Sequence, residues 1–169
     1  MLNDELLERY SRQILLPEID LAGQENIRRA SVLVVGCGGL GSMVALFLAG
    51  AGVGNLALVD TDSVELSNLH RQLAFRESDI HQPKAQALQN QLVSLNSDIA
   101  VTSVLRSFGD DAESDAELLG DVDIVIDATD NLASRYAIER LTRGAQKPWI
   151  MGAATRLQGQ VVAFSQSRA

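Results

Sequence analysis

Apolar positions in this chain follow two alternating patterns: short runs rich in β-branched residues, and longer stretches with apolar residues at helical spacing. A charged amphipathic helix is predicted first, over residues 3–16, with Leu6, Leu7, Tyr10, Ile14 and Leu15 as its apolar set and Asn3 or Asp4 as its N-cap. A second short helix over 21–29 leads into Ser31–Val35, a strand by composition, which breaks at the glycines of 36–41. An Ala-rich helix over 42–51 follows, then a turn at 52–55 and a strand over 56–59 that ends on Asp60. Residues 60–72 are polar and without periodicity, as suits a functional loop. Pro83 pre-sets the first turn of a helix reaching Leu95. Strand and helix then alternate over 99–105, 110–119, 121–127 and 131–144, and two last strands, 149–154 and 160–164, join at 156–159. Strands alternating with helices of this length predict an α/β fold, a mostly parallel sheet with helices on both faces and an N-terminal helical extension over residues 1–30. No internal repeat, low-complexity tract or linker interrupts the pattern, so residues 1–169 are expected to form one domain.

Composition sharpens this picture. With 169 residues and 46% hydrophobic content the chain can bury one respectable core. Aromatics are only 4%, so that core must be Val, Ile, Leu and Ala, as a parallel sheet covered by helices requires. A formal charge of −8 argues against nucleic acid as a partner and against long-range attraction of acidic ones; basic residues that meet phosphate must therefore be concentrated locally. Cys37 is the only cysteine, which excludes an internal disulfide and a C-x-x-C metal site, so zinc is not expected. The longest apolar stretches are strand- or helix-sized and broken by glycines, so no membrane segment or signal peptide is expected and a cytoplasmic protein is the default.

Candidate chemistry begins at the first strand. Gly36, Gly38 and Gly41 occupy G-x-G-x-x-G positions between a strand and a helix, the context of a Rossmann-like nucleotide fold. Glycine permits a tight turn and close approach to a phosphate, while the helix N-terminus offers unpaired N–H groups. Asp60 follows Gly41 by nineteen residues, where an acidic side chain can accept from ribose hydroxyls. In the polar loop, Asn68 and Arg71 are three apart and fall on one side of a helical turn, an amide and a planar fork suited to phosphate, although such residues also cap turns. On the same spacing His70 faces the other way, and His81 suits a cap or the surface. Lys84 stands near a helix N-terminus, where the dipole opposes a cation; a bound polyanion would explain it, a solvated lysine being the alternative. Asp130 follows the strand 121–127 where a magnesium ligand would be wanted, with a helix N-cap as the competing role for Asp130 or Asn131, the two roles being compatible for neighbours. Cys37 is read as a small, partly buried filler, although a helix N-terminus can make a thiol reactive, and Arg12 on composition alone as a solvated arginine.

These residues stand in one order: Asp60 and Asp62 as a D-x-D pair, the block Ser67, Asn68, Leu69, His70, Arg71 and Gln72, a Gln82-Pro83-Lys84 triplet, and Ala128-Thr129-Asp130-Asn131. Together, over residues 7–164, they resemble the ThiF/MoeB/HesA-type adenylyltransferases, ATP-dependent activating enzymes of ubiquitin-like sulfur carriers, and are nearest in appearance to those of molybdopterin synthesis, with thiamine synthesis beside them. The resemblance implies ATP and magnesium as cofactors and a carrier protein whose C-terminal glycine is adenylated. It implies nucleotide contacts from Gly36, Gly38, Gly39 and Gly41, from Asp60 and Asp62, and from the block Ser67 to Gln72 as a whole, His70 included although its spacing gives it no task. It further implies phosphate contacts from Asn68, Arg71 and Lys84, magnesium at Asp130 with Asn131 beside it, and Arg12 reaching the phosphates of the other subunit of a homodimer. Members of that family run on through a zinc-binding, carrier-contacting part, so this chain is expected to be truncated at its C-terminus. Two other readings stay open: a nucleotide-binding, dimerising module with impaired catalysis, and an NAD-dependent oxidoreductase, which leaves Asn68, Arg71, Lys84 and Asp130 unexplained.

Overall fold

A computed structural model describes residues 2–165. Its elements are α1 (Asp4–Arg9), α2 (Ser11–Ile14), α3 (Asp20–Arg29), β1 (Ser31–Val35), α4 (Gly39–Ala51), β2 (Asn55–Val59), α5 (Lys84–Leu95), β3 (Ala100–Val104), α6 (Ala112–Gly120), β4 (Ile124–Asp127), α7 (Leu132–Gly144), β5 (Trp149–Thr155) and β6 (Gln158–Phe164). The sheet order is β3-β2-β1-β4-β5-β6, parallel except for β6, which pairs antiparallel with β5 as a hairpin. The α/β fold read from the sequence is thus what forms.

Both faces of the sheet are covered, which is why β1 and β4 read as apolar runs rather than alternations. On one face Val32, Val34, Leu56 and Leu58 pack with Ala45 and Ala49 of α4 and Ala85, Leu88 and Leu92 of α5. On the other, Leu33, Val35, Val59 and Val125 meet Phe108, Leu119 of α6, Ile138 of α7 and Trp149. From β1 the chain winds outward through β2 to β3, then returns to place β4 on β1's other side. The strand order therefore reverses at β1/β4, and in open α/β sheets the crevice outside the carboxyl ends at that point holds ligands.

The N-terminal segment departs from the expected single helix. It breaks at Tyr10, and of the predicted apolar set Leu6 and Tyr10 are buried while Leu7 and Leu15 are exposed. The reason is the docking of Tyr10: its hydroxyl accepts from buried Asn96 Nδ2 at 2.8 Å, and its ring packs over Gly52, where an added Cβ would lie 2.5 Å away. Gln13 and Gln24 both donate to the Ala51 carbonyl, tying this segment to the C-terminal end of α4. Other boundaries shift, among them β4, which begins at Ile124 and not at residue 121. Helix α4 begins at Gly39, taking the later glycines into its first turn, and the last hairpin is tighter than expected, turning on Arg156 and Leu157 with Arg156 at φ 55°.

Candidate functional site

A cleft of about 750 Å³ opens at the carboxyl ends of the strands, where the winding reverses. The glycine turn forms its floor. Gly36 sits at φ 92°, and a Cβ there would lie 2.8 Å from the Ala128 carbonyl oxygen; at Gly41 it would lie 1.8 Å from the Gly36 carbonyl oxygen. Gly36 is therefore required by backbone conformation, and Gly41 by the close seating of α4 on the turn. Gly36, Gly38 and Gly39 line the cleft, whereas Gly41 lies behind it.

Asp60 extends from the end of β2 and accepts from the Cys37 N–H at 2.6 Å and the Asp62 N–H at 2.7 Å, one with each carboxylate oxygen. It thereby joins the glycine turn to the D-x-D loop while keeping lone pairs toward the cleft. Burial pushes its carboxyl above the usual carboxylate range, with those two N–H bonds opposing. Cys37 is fully buried, deeper than the partly buried filler expected, and burial raises its thiol, which makes it inert.

Lys84 is not a solvated lysine. It is 6% exposed, and its Nζ bonds Asp62 Oδ2 at 2.7 Å within the cleft wall. The two loops are stitched along their length as well, with the Lys84 N–H donating to the Asp62 carbonyl, Ser63 bridging Pro83, and the Val64 N–H donating to the Gln82 carbonyl. Arg71 contrasts with Lys84. It is exposed, lines the cleft against Gly39, and makes no side-chain ion pair or hydrogen bond among the described residues. Gln72 beside it is buried; its Oε1 is enclosed without a hydrogen-bond partner, and its Nε2 lies toward Gly38 in the glycine turn.

Asn68 also lines the cleft, but its side chain and Glu65 close a capping box around the 3-10 turn Leu66–Asn68. The turn-cap alternative for Asn68 thus describes part of its use. Ser67 donates to Glu65 and is exposed, Leu69 packs against the core, and His70 is exposed; none of these three borders the cleft. Past β4, Asn131 caps α7 by accepting from the Ser134 N–H at 2.8 Å, which leaves the exposed Asp130 carboxylate without a hydrogen bond among the described residues. Arg12 is exposed and remote from the cleft. Its neighbour Gln13 is bonded to Ala51, so the thirteen residues of α4, about 20 Å of helix, separate this segment from the glycine turn. Within one chain Arg12 does not reach the site.

Sequence reasoning missed several lining residues: Arg106, Ser107 and Phe108 after β3, Arg135 on α7, and 153–155 at the end of β5. The signal for them was position, since each strand's carboxyl end contributes to such a crevice. Arg106 and Arg135 are each neutralised from behind, by the fully buried Asp115 at 2.6 Å and Asp127 at 3.0 Å. The lining itself balances, four carboxylates (Asp60, Asp62, Glu65, Asp130) against four cations (Arg71, Lys84, Arg106, Arg135), and the two buried carboxylates behind it bring the site as a whole to formally two charges negative. Among the described residues no cluster of three or more metal-ligating side chains occurs, and no helix is long and apolar enough to cross a membrane.

Comparisons with known proteins show the family. A family model described as "ThiF family" matches residues 10–169. The chain is 43% identical over 164 residues to two proteins of Escherichia coli (strain K12), "Sulfur carrier protein ThiS adenylyltransferase" and "Molybdopterin-synthase adenylyltransferase". These alignments take in 97% of this chain but 64% and 65% of those proteins. It is also 43% identical to "Adenylyltransferase and sulfurtransferase MOCS3" of Anopheles gambiae, of which it spans 37%. Among solved structures, PaaA superposes with a TM-score of 0.87 at 30% identity, covering 98% of this chain and 56% of that one. E. coli MccB, crystallised with AMPCPP and MccA, superposes at 0.74 and 29% identity, covering 86% and 44%.

Proposed function

The chain belongs to the ThiF family, and from this premise we propose that it carries the ATP site of an adenylyltransferase acting on the C-terminal glycine of a small ubiquitin-like sulfur carrier, in molybdopterin or thiamine synthesis. The names of the E. coli relatives support the reaction class and the carrier. One observation carries the reading: an unpaired Arg71, a buried Lys84, the ribose-ready Asp60 and the unbonded Asp130 converge on one cleft around a glycine turn. An NAD enzyme has no use for that set.

In the proposed reaction the carrier's carboxylate oxygen attacks the α-phosphorus of ATP, the α–β bridging bond breaks, and pyrophosphate leaves as an acyl-adenylate forms. Such a displacement is mostly positioning and charge neutralisation, so no protein nucleophile is required. The N–H groups of the glycine turn and of α4 face the phosphates, Asp60 accepts from the ribose, and Arg71 and Lys84 hold phosphate oxygens. Asn68 keeps Arg71's loop in shape and offers its amide. Magnesium binds through one or two carboxylates together with substrate phosphates, and Asp130 is such a carboxylate; when bound, the ion neutralises phosphate charge.

The charge balance of the lining supports two further parts of the proposal. A cleft without net positive charge gains from further cations when it takes a triphosphate. Magnesium is one, and Arg12 of a second copy is another, because within its own chain Arg12 is an α4 length away. A homodimer fits the surface too: Leu40 and Phe47 on α4 and Val161 on β6 are 40%, 73% and 78% exposed. Exchange of labelled pyrophosphate into ATP, with a sulfur carrier added, tests the proposal. Carrier-dependent exchange that falls at least tenfold in Arg12→Ala supports it. Exchange that is absent while MgATP still binds supports a nucleotide-binding, dimerising module instead.

A further inference from the structure

The loop that carries Asp130 is held by side chains to which the proposed reaction gives no task. Asp127, the last residue of β4, is fully buried; its Oδ1 accepts from the Thr129 N–H at 2.9 Å and from the Thr129 hydroxyl at 2.6 Å. Its Oδ2 accepts from Arg135 Nε at 3.0 Å, while Arg135 Nη2 donates to the Thr129 carbonyl at 2.8 Å. The guanidinium therefore spans a buried carboxylate and the peptide immediately before Asp130, with part of its surface in the cleft. A cation in the first turns of α7 is opposed by the helix dipole, and here the anion that stabilises it is Asp127. Neutralising Asp127 requires only one of the two bonds. The second, to Thr129, ties down the loop. Asp130 has no hydrogen-bond partner of its own among the described residues, so its carboxylate is positioned by this backbone.

We propose that Arg135 is a positioning residue for the divalent cation: by clamping Thr129 to Asp127 it fixes Asp130, and so sets the magnesium requirement of nucleotide binding. The proposal rests on the reading of Asp130 as the magnesium ligand. Groups that orient a ligand without touching the metal are worth about 10- to 100-fold in metal affinity.

The test titrates magnesium chloride into the chain at a fixed ATP concentration, following ATP binding by calorimetry, with the thermal midpoint of the unliganded chain measured alongside. Arg135→Lys keeps a positive charge for Asp127 but loses the planar fork that also holds Thr129. It is expected to raise the magnesium concentration for half-maximal ATP binding about tenfold, with affinity recovered at saturating magnesium and an unliganded midpoint within about 4 °C of the parent. Asp130→Asn is expected to remove the magnesium dependence. If Arg135→Lys leaves the half-saturation unchanged while Asp130→Asn alters it, the clamp is wrong and the metal site stands. If Asp130→Asn also changes nothing, the metal role fails and the clamp with it. Should Arg135→Lys not fold, Thr129→Val, which deletes only the hydroxyl bond to Asp127, carries the same expectation and the same refutation.

Discussion

Removing Lys84 and removing its partner Asp62 should have opposite signatures on stability and binding. Lys84 is 8% exposed at its side chain and Asp62 64%, with 2.7 Å between Nζ and Oδ2. At that separation and an effective dielectric of about 20, the Coulomb attraction is roughly 6 kcal/mol. Desolvating the ammonium costs several kcal/mol, and the adverse dipole of α5 adds to that cost. The pair therefore comes out near zero. Lys84→Met replaces a buried charge with a chain of similar volume and leaves Asp62 in water, so its stability is expected within about 1 kcal/mol of the parent, a midpoint shift under about 4 °C. Asp62→Asn strands a buried ammonium and is expected to cost about 2 kcal/mol, below the usual figure for a broken buried pair because Asp62's side of the pair is wet. Binding runs the other way. Loss of a charged contact to phosphate at about 1.5–3 kcal/mol weakens MgATP roughly 10- to 150-fold in Lys84→Met. Thermal denaturation followed by circular dichroism and calorimetric titration of MgATP give both numbers. A Lys84→Met chain that melts below Asp62→Asn, or binds MgATP within twofold of the parent, would refute the reasoning.

Three further substitutions probe the site. Arg71→Ala removes an exposed cation with no partner among the described residues, so stability should stay within about 0.5 kcal/mol while MgATP affinity falls at least about tenfold; an unchanged affinity takes Arg71 out of the site. Gly36→Ala must adopt φ 92° and press a methyl to 2.8 Å from the Ala128 carbonyl oxygen, and a loss of at least about 2 kcal/mol is expected in chemical denaturation. Asp60 has its folded-state pKa raised, chiefly by burial, so the folded chain holds its proton more tightly than the unfolded one. Its stabilising contribution is then full below the ordinary carboxylate value and lost as pH rises through the raised value. The stability of the parent relative to Asp60→Asn should accordingly decline with rising pH across that window and level off above it, and a rise across the same window in a urea series would contradict the assignment.

Much of this was legible in the sequence because local pattern and tertiary role coincide. The apolar run Ser31–Val35, the glycines after it and Asp60 at the end of the next strand carry their own signals, and Val35, Gly36, Gly38, Gly39 and Asp60 are found lining the cleft. Lys84 was legible as an anomaly, a cation where the helix dipole opposes it; that its resting anion is Asp62 was not, since an ion pair twenty-two residues apart depends on how two loops meet. The N-terminal helix misled for a related reason. Tyr10 fits helical spacing, but its docking onto Gly52 and Asn96 outweighs the continuity of the helix. Arg135 and Arg106 were invisible because their significance lies in fully buried carboxylates, Asp127 and Asp115, which the sequence pattern does not mark as buried. The block Ser67 to Gln72 divides between the cleft and its support, with Asn68, Arg71 and Gln72 on the lining and Ser67, Leu69 and His70 off it.

The central claim is that this cleft is built for a triphosphate nucleotide carried with a divalent cation. Calorimetric titration of ATP with magnesium, with NAD as the comparison ligand, addresses it most directly. Binding of MgATP, its loss when magnesium is chelated, and no heat from NAD are the expected result. Preference for NAD, or ATP binding indifferent to magnesium, would contradict it.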